Sequence, residues 1–364
     1  MQHDFSENNL KSLFRQIIRD KFALIGLIVL LCLYLSIIFA GFLAPYSEEF
    51  SDRHLSYAPP SQIFTIDEFG HFSRPYTYNY TRKFNSDLLK MEYKLDRSQR
   101  YYLKLFSKGS EYKFLGVIPA NIHLVTVDNP GRLYLLGSDI NGRDNFSRLL
   151  YGGRISLTIG FLALFISFPI GFIYGGIAGY FGGKIDSIMM RVAEAIMSIP
   201  GFYLLISLAA ILPANMTSSE RFTLITVILA FIGWAGFSRV IRGMVLSIKN
   251  QEFVEAAQTI GASPLRIILK HILPQTASYA IIAMTLSVPG YMLAESGLSF
   301  LGLGIQQPDA SWGNMLKEAQ EYFNVIHRPW LLMPGFLIFA AVLSFNLVGD
   351  VIRDILDPKS RMRK

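Results

Sequence analysis

Residues Phe22–Ala44 read FALIGLIVLLCLYLSIIFAGFLA and carry no charged side chain. A helix rises about 1.5 Å per residue, so roughly 20 apolar residues cross a hydrocarbon core about 30 Å thick. The stretch is long enough to do so. It is too long for the apolar part of a signal peptide, and no small-residue cleavage site follows it, so it is expected to stay in the chain as a membrane helix.

Working outward, the same blocky pattern recurs. The chain has 364 residues, of which 51% are hydrophobic, a share that fits a globular protein until its distribution is considered. Further apolar blocks predict spans near Ile155–Tyr180, Val192–Pro213, Phe222–Gly243, Ala277–Gly302 and Trp330–Val351, six in all with the first. The expected class is an all-α polytopic membrane protein. The formal charge of +7 reflects Lys and Arg flanking spans. No basic patch on a soluble domain is visible, so nucleic acid is not an expected partner. Cys32, the single cysteine, offers neither a disulfide nor metal-ligand spacing.

Basic residues set the expected orientation. Lys11, Arg15, Arg19 and Lys21 precede the first span; Lys184 and Arg191 lie between the second and third. Arg239, Arg242, Lys249, Arg266 and Lys270 fall around the connection from fourth to fifth, and Lys359, Arg361, Arg363 and Lys364 close the sequence. With alternating spans all of these share one side, which places both termini in the cytoplasm. The expected organisation is a cytoplasmic N-terminus with first span (1–44), an extracytoplasmic insert (45–153), and a core of five further spans (154–364) holding a cytoplasmic loop at 249–274. Within the insert, Asp87–Leu105 is read as helical from Leu88, Leu89, Leu95 and Leu103, and Ile118–Val127 as a strand from its β-branched residues. Its aromatics, among them Tyr76, Tyr78, Tyr80, Tyr101 and Tyr102, suit the core of a small folded cap, or a solute- or partner-binding surface.

The loop between the fourth and fifth spans is expected to hold two short helices. Asn250 can cap the first, Glu252 suits its dipole, and Gly261 can end it in a left-handed conformation. Ser263 can cap the second with Pro264 in its first turn, and Pro274 marks the entry to the fifth span. Such a helix with small residues suits docking in another protein's groove, and an ordinary solvated loop would fit the pattern equally.

Glu255-Ala256-Ala257, then Gly261, then a stretch closing in Leu273-Pro274, resembles the EAA loop of ATP-binding cassette (ABC) importer permeases. His271-Ile272-Leu273-Pro274 is similar to the His-x-Leu-Pro of their dipeptide, oligopeptide and nickel branch, where the generic pattern has isoleucine in place of His271. Leu136–Asp144, Ser147–Ser156, Leu298–Ile305, Ser311–Asn314 and Asp354–Pro358 resemble further stretches of that branch. The resemblance covers the first span and about residues 134–360, and leaves out most of 46–133. It implies a type I importer permease fold and coupling contacts at Glu255, Ala256, Ala257 and Gly261, with Ser263, Pro264, His271 and Pro274 in the same site. It also implies a second homologous permease subunit, two cytoplasmic ATPase subunits and an extracytoplasmic solute-binding protein, in a bacterial inner membrane. ATP and Mg would sit on the partner ATPases, leaving this chain without a cofactor or catalytic residues. The implied cargo is di- or oligopeptides, the alternative being nickel or other small solutes.

Charges at membrane depth usually face a bundle interior or water. Glu194, Trp234 and Glu295 are the candidates for a translocation path. Glu194 either lines it or pairs with Arg191; Glu295 suits a structural place near the outer boundary, and Trp234 suits packing. Gly171, Gly175, Gly176 and Gly179 form a small-residue stripe suited to close helix packing. Gly182-Gly183-Lys184 is not a phosphate-binding loop, since Ala178 and Ile185 stand where Gly and Ser/Thr are required. The histidines lack metal-ligand spacing. A secondary transporter would show paired midplane charges and would not need the loop. A sensor would transport nothing.

Overall fold

The computed structural model describes residues 17–356 apart from 68–69, 86–89, 115 and 214. Lys11, Arg15, the terminal basic cluster and the start of the helix expected at Asp87 lie outside the described residues. The chain divides into two compact units. One comprises Met1–Leu30, Leu157–Leu298 and Phe339–Lys364; the other comprises Leu31–Ser156 and Ser299–Ile338.

Five helical runs are long and apolar enough to cross a membrane: Lys21–Ile38, Asn145–Phe181, Ser218–Ile248, Pro264–Phe300 and Pro329–Leu356. A sixth span exists if a bent pair is counted as one. The third expected span, Val192–Pro213, is not a straight helix. It is divided between Gly183–Met197 and Gly201–Ala210, which meet at 76°. The cause is Pro200, which lacks an N–H and sits at φ −56°, ψ 121°, out of the helical region. The second span also differs from its expected start at Ile155, since its helix begins at Asn145 and runs 37 residues. At about 55 Å it exceeds the hydrocarbon thickness.

In the first unit, the second and fourth spans are packed through the expected glycine stripe. A Cβ on Gly171 would stand 2.7 Å from the carbonyl oxygen of Trp234, on Gly175 2.3 Å from that of Ser238, and on Gly179 2.8 Å from that of Arg242. Both series advance by four residues, so the two helices run parallel with matched registers. Ser167 and Tyr291 add a buried hydroxyl pair at 2.7 Å between the second and fifth spans.

The second unit carries the strands. Strands β1 (Phe64–Ile66), β2 (Phe72–Asn85) and β3 (Lys90–Tyr102) form an antiparallel sheet; β4 (Lys104–Phe114) and β5 (Ile118–Thr126) form a second ribbon. The strand expected at Ile118–Val127 is β5. The helix expected over Asp87–Leu105 is instead β3 and the start of β4. Met91, Tyr93 and Leu95 alternate with Glu92, Lys94 and Asp96, a period of two that fits a strand, and β2 supplies a β-branched and aromatic partner. The aromatics form a core, as expected for a cap: Tyr76, Tyr78 and Tyr101 are buried, whereas Tyr102 is exposed. His123 on β5 is fully buried, with its ring nitrogens 2.6 Å from the Ala44 carbonyl and 2.8 Å from that of Ser110.

The glycine contacts predict a graded response. Gly175→Ala should destabilise the detergent-solubilised chain by ~1–3 kcal/mol, seen as a lower melting temperature, because main chain cannot yield to a new methyl group. Gly243→Ala, whose Cβ would meet nothing within 4 Å, should be neutral or stabilise by ~0.5–1 kcal/mol.

Candidate functional site: the loop between the fourth and fifth spans

The helix Glu252–Thr259 follows the fourth span directly. Its N-cap is Gln251 at φ −86°, ψ 149°, one residue beyond the expected Asn250, and no side chain caps it. Glu252 and Glu255 in the first turn supply the charge that favours this end. Val254 and Ala257, three residues apart, are buried; Glu255 and Ala256 are exposed. The helix ends at Gly261, whose φ of +79° is the left-handed conformation expected of it. Gly261 N–H donates to Gln258 and Ala262 N–H to Ala257, at 2.9 and 3.1 Å. That pair of bonds is the Schellman arrangement, and it satisfies carbonyls that a helix end otherwise leaves open.

Ser263 precedes the next turn in an extended conformation, but its side chain does not cap; its carbonyl accepts from Ile267 N–H instead. Pro264 is in the first turn as expected. Pro274 does not open the fifth span. The chain runs from Pro264–Ile267 through a wide turn at Ile268–Ile272 and a tight one at Leu273–Thr276 into Ala277–Phe300. Because Pro274 has no N–H, the regular ladder cannot continue, and Leu273 N–H reaches five residues back to Ile268. The loop is held to the second span where Ile268 and Leu273 enter the space left by Gly176, and where the Gln258 amide donates to the Tyr180 hydroxyl at 3.3 Å. His271 is half-buried and Pro274 exposed. Phe253, Ile260 and Leu265, in or near this helix in sequence, are also exposed apolar side chains, Ile260 at 84%.

Of the three residues considered for a path, only Glu194 is exposed. It pairs with Arg191 at 3.4 Å. Trp234 is buried against Tyr174, ring centroids 4.7 Å apart, in a cluster with Ala193 and Ala235. Glu295 is fully buried, and the Ser296 hydroxyl donates to it at 3.3 Å. Sequence reading missed a further pair. Arg242 donates from Nε to Asp186 at 2.8 Å and from a terminal nitrogen to the other carboxylate oxygen, joining helices 56 residues apart. Only the bidentate chemistry of Arg and Asp was legible beforehand, not their meeting.

Residues 167–362, the loop included, match the family described as binding-protein-dependent transport system inner membrane component. The chain belongs to this family. Residues 9–60 also match the N-terminal transmembrane domain of oligopeptide transport permease C. The resemblance drawn from the loop is therefore borne out, and the protein is a multi-pass permease rather than an ATPase. It is 46% identical over 232 residues to the dipeptide transport system permease protein of Bacillus subtilis, covering 64% of this chain and 71% of that one. It is 44% identical over 229 residues to the oligopeptide transport system permease protein of Haemophilus influenzae, covering 63% and 71%. It is 39% identical over 233 residues to a glutathione transport system permease protein of Escherichia coli, covering 64% and 74%. The five strands of this permease lie between its two family matches.

In the second unit the permease brings separated stretches of the resemblance together. Asp139 accepts from the backbone N–H groups of Asn141 and Arg143 and from Arg143 Nε at 2.6 Å, and pairs with Arg148 at 3.6 Å. Arg148 also donates to the Pro308 carbonyl at 3.1 Å and to Gln307 at 3.3 Å. Trp312 Nε1 donates to the Leu149 carbonyl at 2.9 Å, and Ile140 N–H to Glu318 at 3.1 Å. Burial pushes the Glu318 carboxyl up from 4.5 to about 7, the charge of Asp139 adding to it. Burial likewise pushes Asp144 up from 3.8 to about 7, against hydrogen bonds from Ser147.

A carboxyl whose pKa rises on folding keeps its proton where the unfolded chain has released it, so folding is favoured on the acid side. Stability should therefore fall as pH rises from about 4.5 to about 7. The melting temperature of the permease should be several degrees lower at pH 8 than at pH 5. Glu318→Gln, which keeps an oxygen for Ile140 N–H, should flatten that slope; an unchanged slope would refute the assignment.

Proposed function

We propose that this permease forms the translocation path of an ABC importer for di- or oligopeptides, together with a second homologous permease subunit, two cytoplasmic ATPase subunits and an extracytoplasmic solute-binding protein. The names of its relatives support the cargo class. The observation that carries the coupling role is the exposed helix Glu252–Thr259. It is fixed by buried Val254 and Ala257 and leaves Glu255 and Ala256 exposed, along with Phe253, Ile260 and Leu265. Small outward residues allow a partner groove to approach closely, and Glu255 can meet a basic residue there.

ATP and Mg belong to the partner ATPases in this reading. Closure of the ATPase pair moves the loop, and the spans alternate between openings to the two sides. Such coupling requires contacts that differ between the two states. Exposed Glu194 is the path candidate whose side chain is available in this conformation. The basic residues beside the spans support cytoplasmic termini and an external insert.

Glu255→Lys and Gly261→Asp should each abolish uptake while leaving membrane insertion intact. Gly261→Asp acts by straining the left-handed turn, Glu255→Lys by reversing a contact charge. Normal uptake in both would sink the coupling role, and tagged permease that brings down no ATPase would sink the complex. A reporter fused after Lys364 should read as cytoplasmic and one inside Asp67–Lys113 as external; the reverse would overturn the orientation.

A further inference from the structure

A cleft of about 560 Å³ opens in the second unit, with Tyr57, Arg82, Tyr93, Phe323, Arg328 and Trp330 among its walls. That volume is in the range of small-molecule sites. Arg328 is held in place from behind. Its guanidinium lies 3.7 Å over the Tyr57 ring and 5.3 Å from that of Phe323, and it donates to the side-chain carbonyl of buried Asn324. Arg82 stands on β2 directly opposite Tyr93 on β3, and is exposed.

Among the described residues, neither guanidinium has a carboxylate within ion-pair distance. Glu92, also at the cleft, is opposite Lys83 in the strand register. Glu321 accepts from the Asn324 amide at 3.3 Å. His327 has Nδ1 3.1 Å from the Phe323 carbonyl and its ring stacked on Phe323. Burial lowers the Arg328 pKa; the charges of Tyr57, Tyr93 and Glu321 act against this, and the like charge of Arg82 adds to it. Two cations thus share a concave surface between aromatic walls, where the Glu321 charge acts on Arg328 from a distance but no carboxylate among the described residues is within ion-pair distance of either. An oxyanion would relieve their repulsion, and a planar carboxylate matches the arginine fork. The aromatic walls suit a flat apolar body beside it.

We propose that this cleft binds a small carboxylate carrying a flat apolar group, with Arg82 and Arg328 on the carboxylate and the Tyr57 and Trp330 rings against the apolar group. The proposal does not depend on the transport reading, since it concerns binding alone.

The test is a titration of the full chain in phosphatidylcholine nanodiscs with N-acetyl-L-phenylalanine, read by tryptophan fluorescence because Trp330 lines the cleft. The expected result is a saturable change, with N-acetyl-L-phenylalaninamide at least about tenfold weaker. Arg82→Gln should weaken the acid by a similar factor, and Arg82→Lys should recover part of it. Arg82 is exposed and bonds to no described side chain, so its removal leaves the fold intact. No saturable change, equal titration by acid and amide, or unaltered affinity in Arg82→Gln would overturn the proposal. So would loss of binding when phosphatidylglycerol replaces phosphatidylcholine, which would make the cleft a site for lipid headgroups.

Discussion

The near-contact of main chains along Gly171, Gly175 and Gly179 governs much of what surrounds the loop. Lipid is as apolar as a leucine side chain, so membrane helices gain little from burying apolar surface against each other. Close van der Waals contact and specific polar pairs have to hold them instead. Each glycine meets a carbonyl of the fourth span, at Trp234, Ser238 and Arg242 in turn. This fixes the register of the two helices to within a fraction of a turn. It also sets the height of Arg242, which can then reach Asp186 near the start of the third span with two parallel hydrogen bonds. Because one main chain is already placed by the glycines, little further conformational entropy is lost in making the pair.

Gly176 extends the same device to the loop. Its missing side chain admits Ile268 and Leu273, so the base of the loop is seated on the second span rather than hung from the ends of the fourth and fifth. A helix as short as Glu252–Thr259 is not stable alone in water. Val254 and Ala257 beneath it, and the bonds that close on Gly261, supply what length does not. From Pro264 onward the chain stays helical in character through Phe300, with one wide and one tight turn around Pro274.

What could be read in advance follows from the range of the forces involved. Long apolar blocks betray membrane helices because every backbone group must be satisfied within the segment. The ends were less legible. The second span was expected to begin only at Ile155; the preceding turns from Asn145 carry Arg148 and Arg154, whose charges are met by Asp139 and the Pro308 carbonyl and by the Ile37 carbonyl, which no local pattern announces. Gly261 was placed correctly because the requirement for positive φ is local, whereas the N-cap fell one residue late, at Gln251. The helix read over Asp87–Leu105 failed for a definite reason. Leu88, Leu89, Leu95 and Leu103 offer apolar points for a helix, whereas the alternation of Met91, Tyr93 and Leu95 takes its meaning from the partner strand β2. The Asp186–Arg242 pair and the cleft arginines depend on residues distant in the chain and had no signal in it.

The two kinds of contact in the second unit differ in the same respect. Strands β2 and β3, and β4 and β5, are neighbours in sequence and close short loops. The bonds from Arg148 to Pro308 and from Trp312 to Leu149 span 160 and 163 residues. Non-local contacts are reached only after the entropy of closing the intervening chain has been met, so the ribbons can form well before the Asp139 network is complete. Until then Arg143 and Arg148 lack their carbonyl partners, and a half-satisfied buried charge is worse than an exposed one. The network thus penalises states in which Ser299–Ile338 has only partly closed onto Leu31–Ser156.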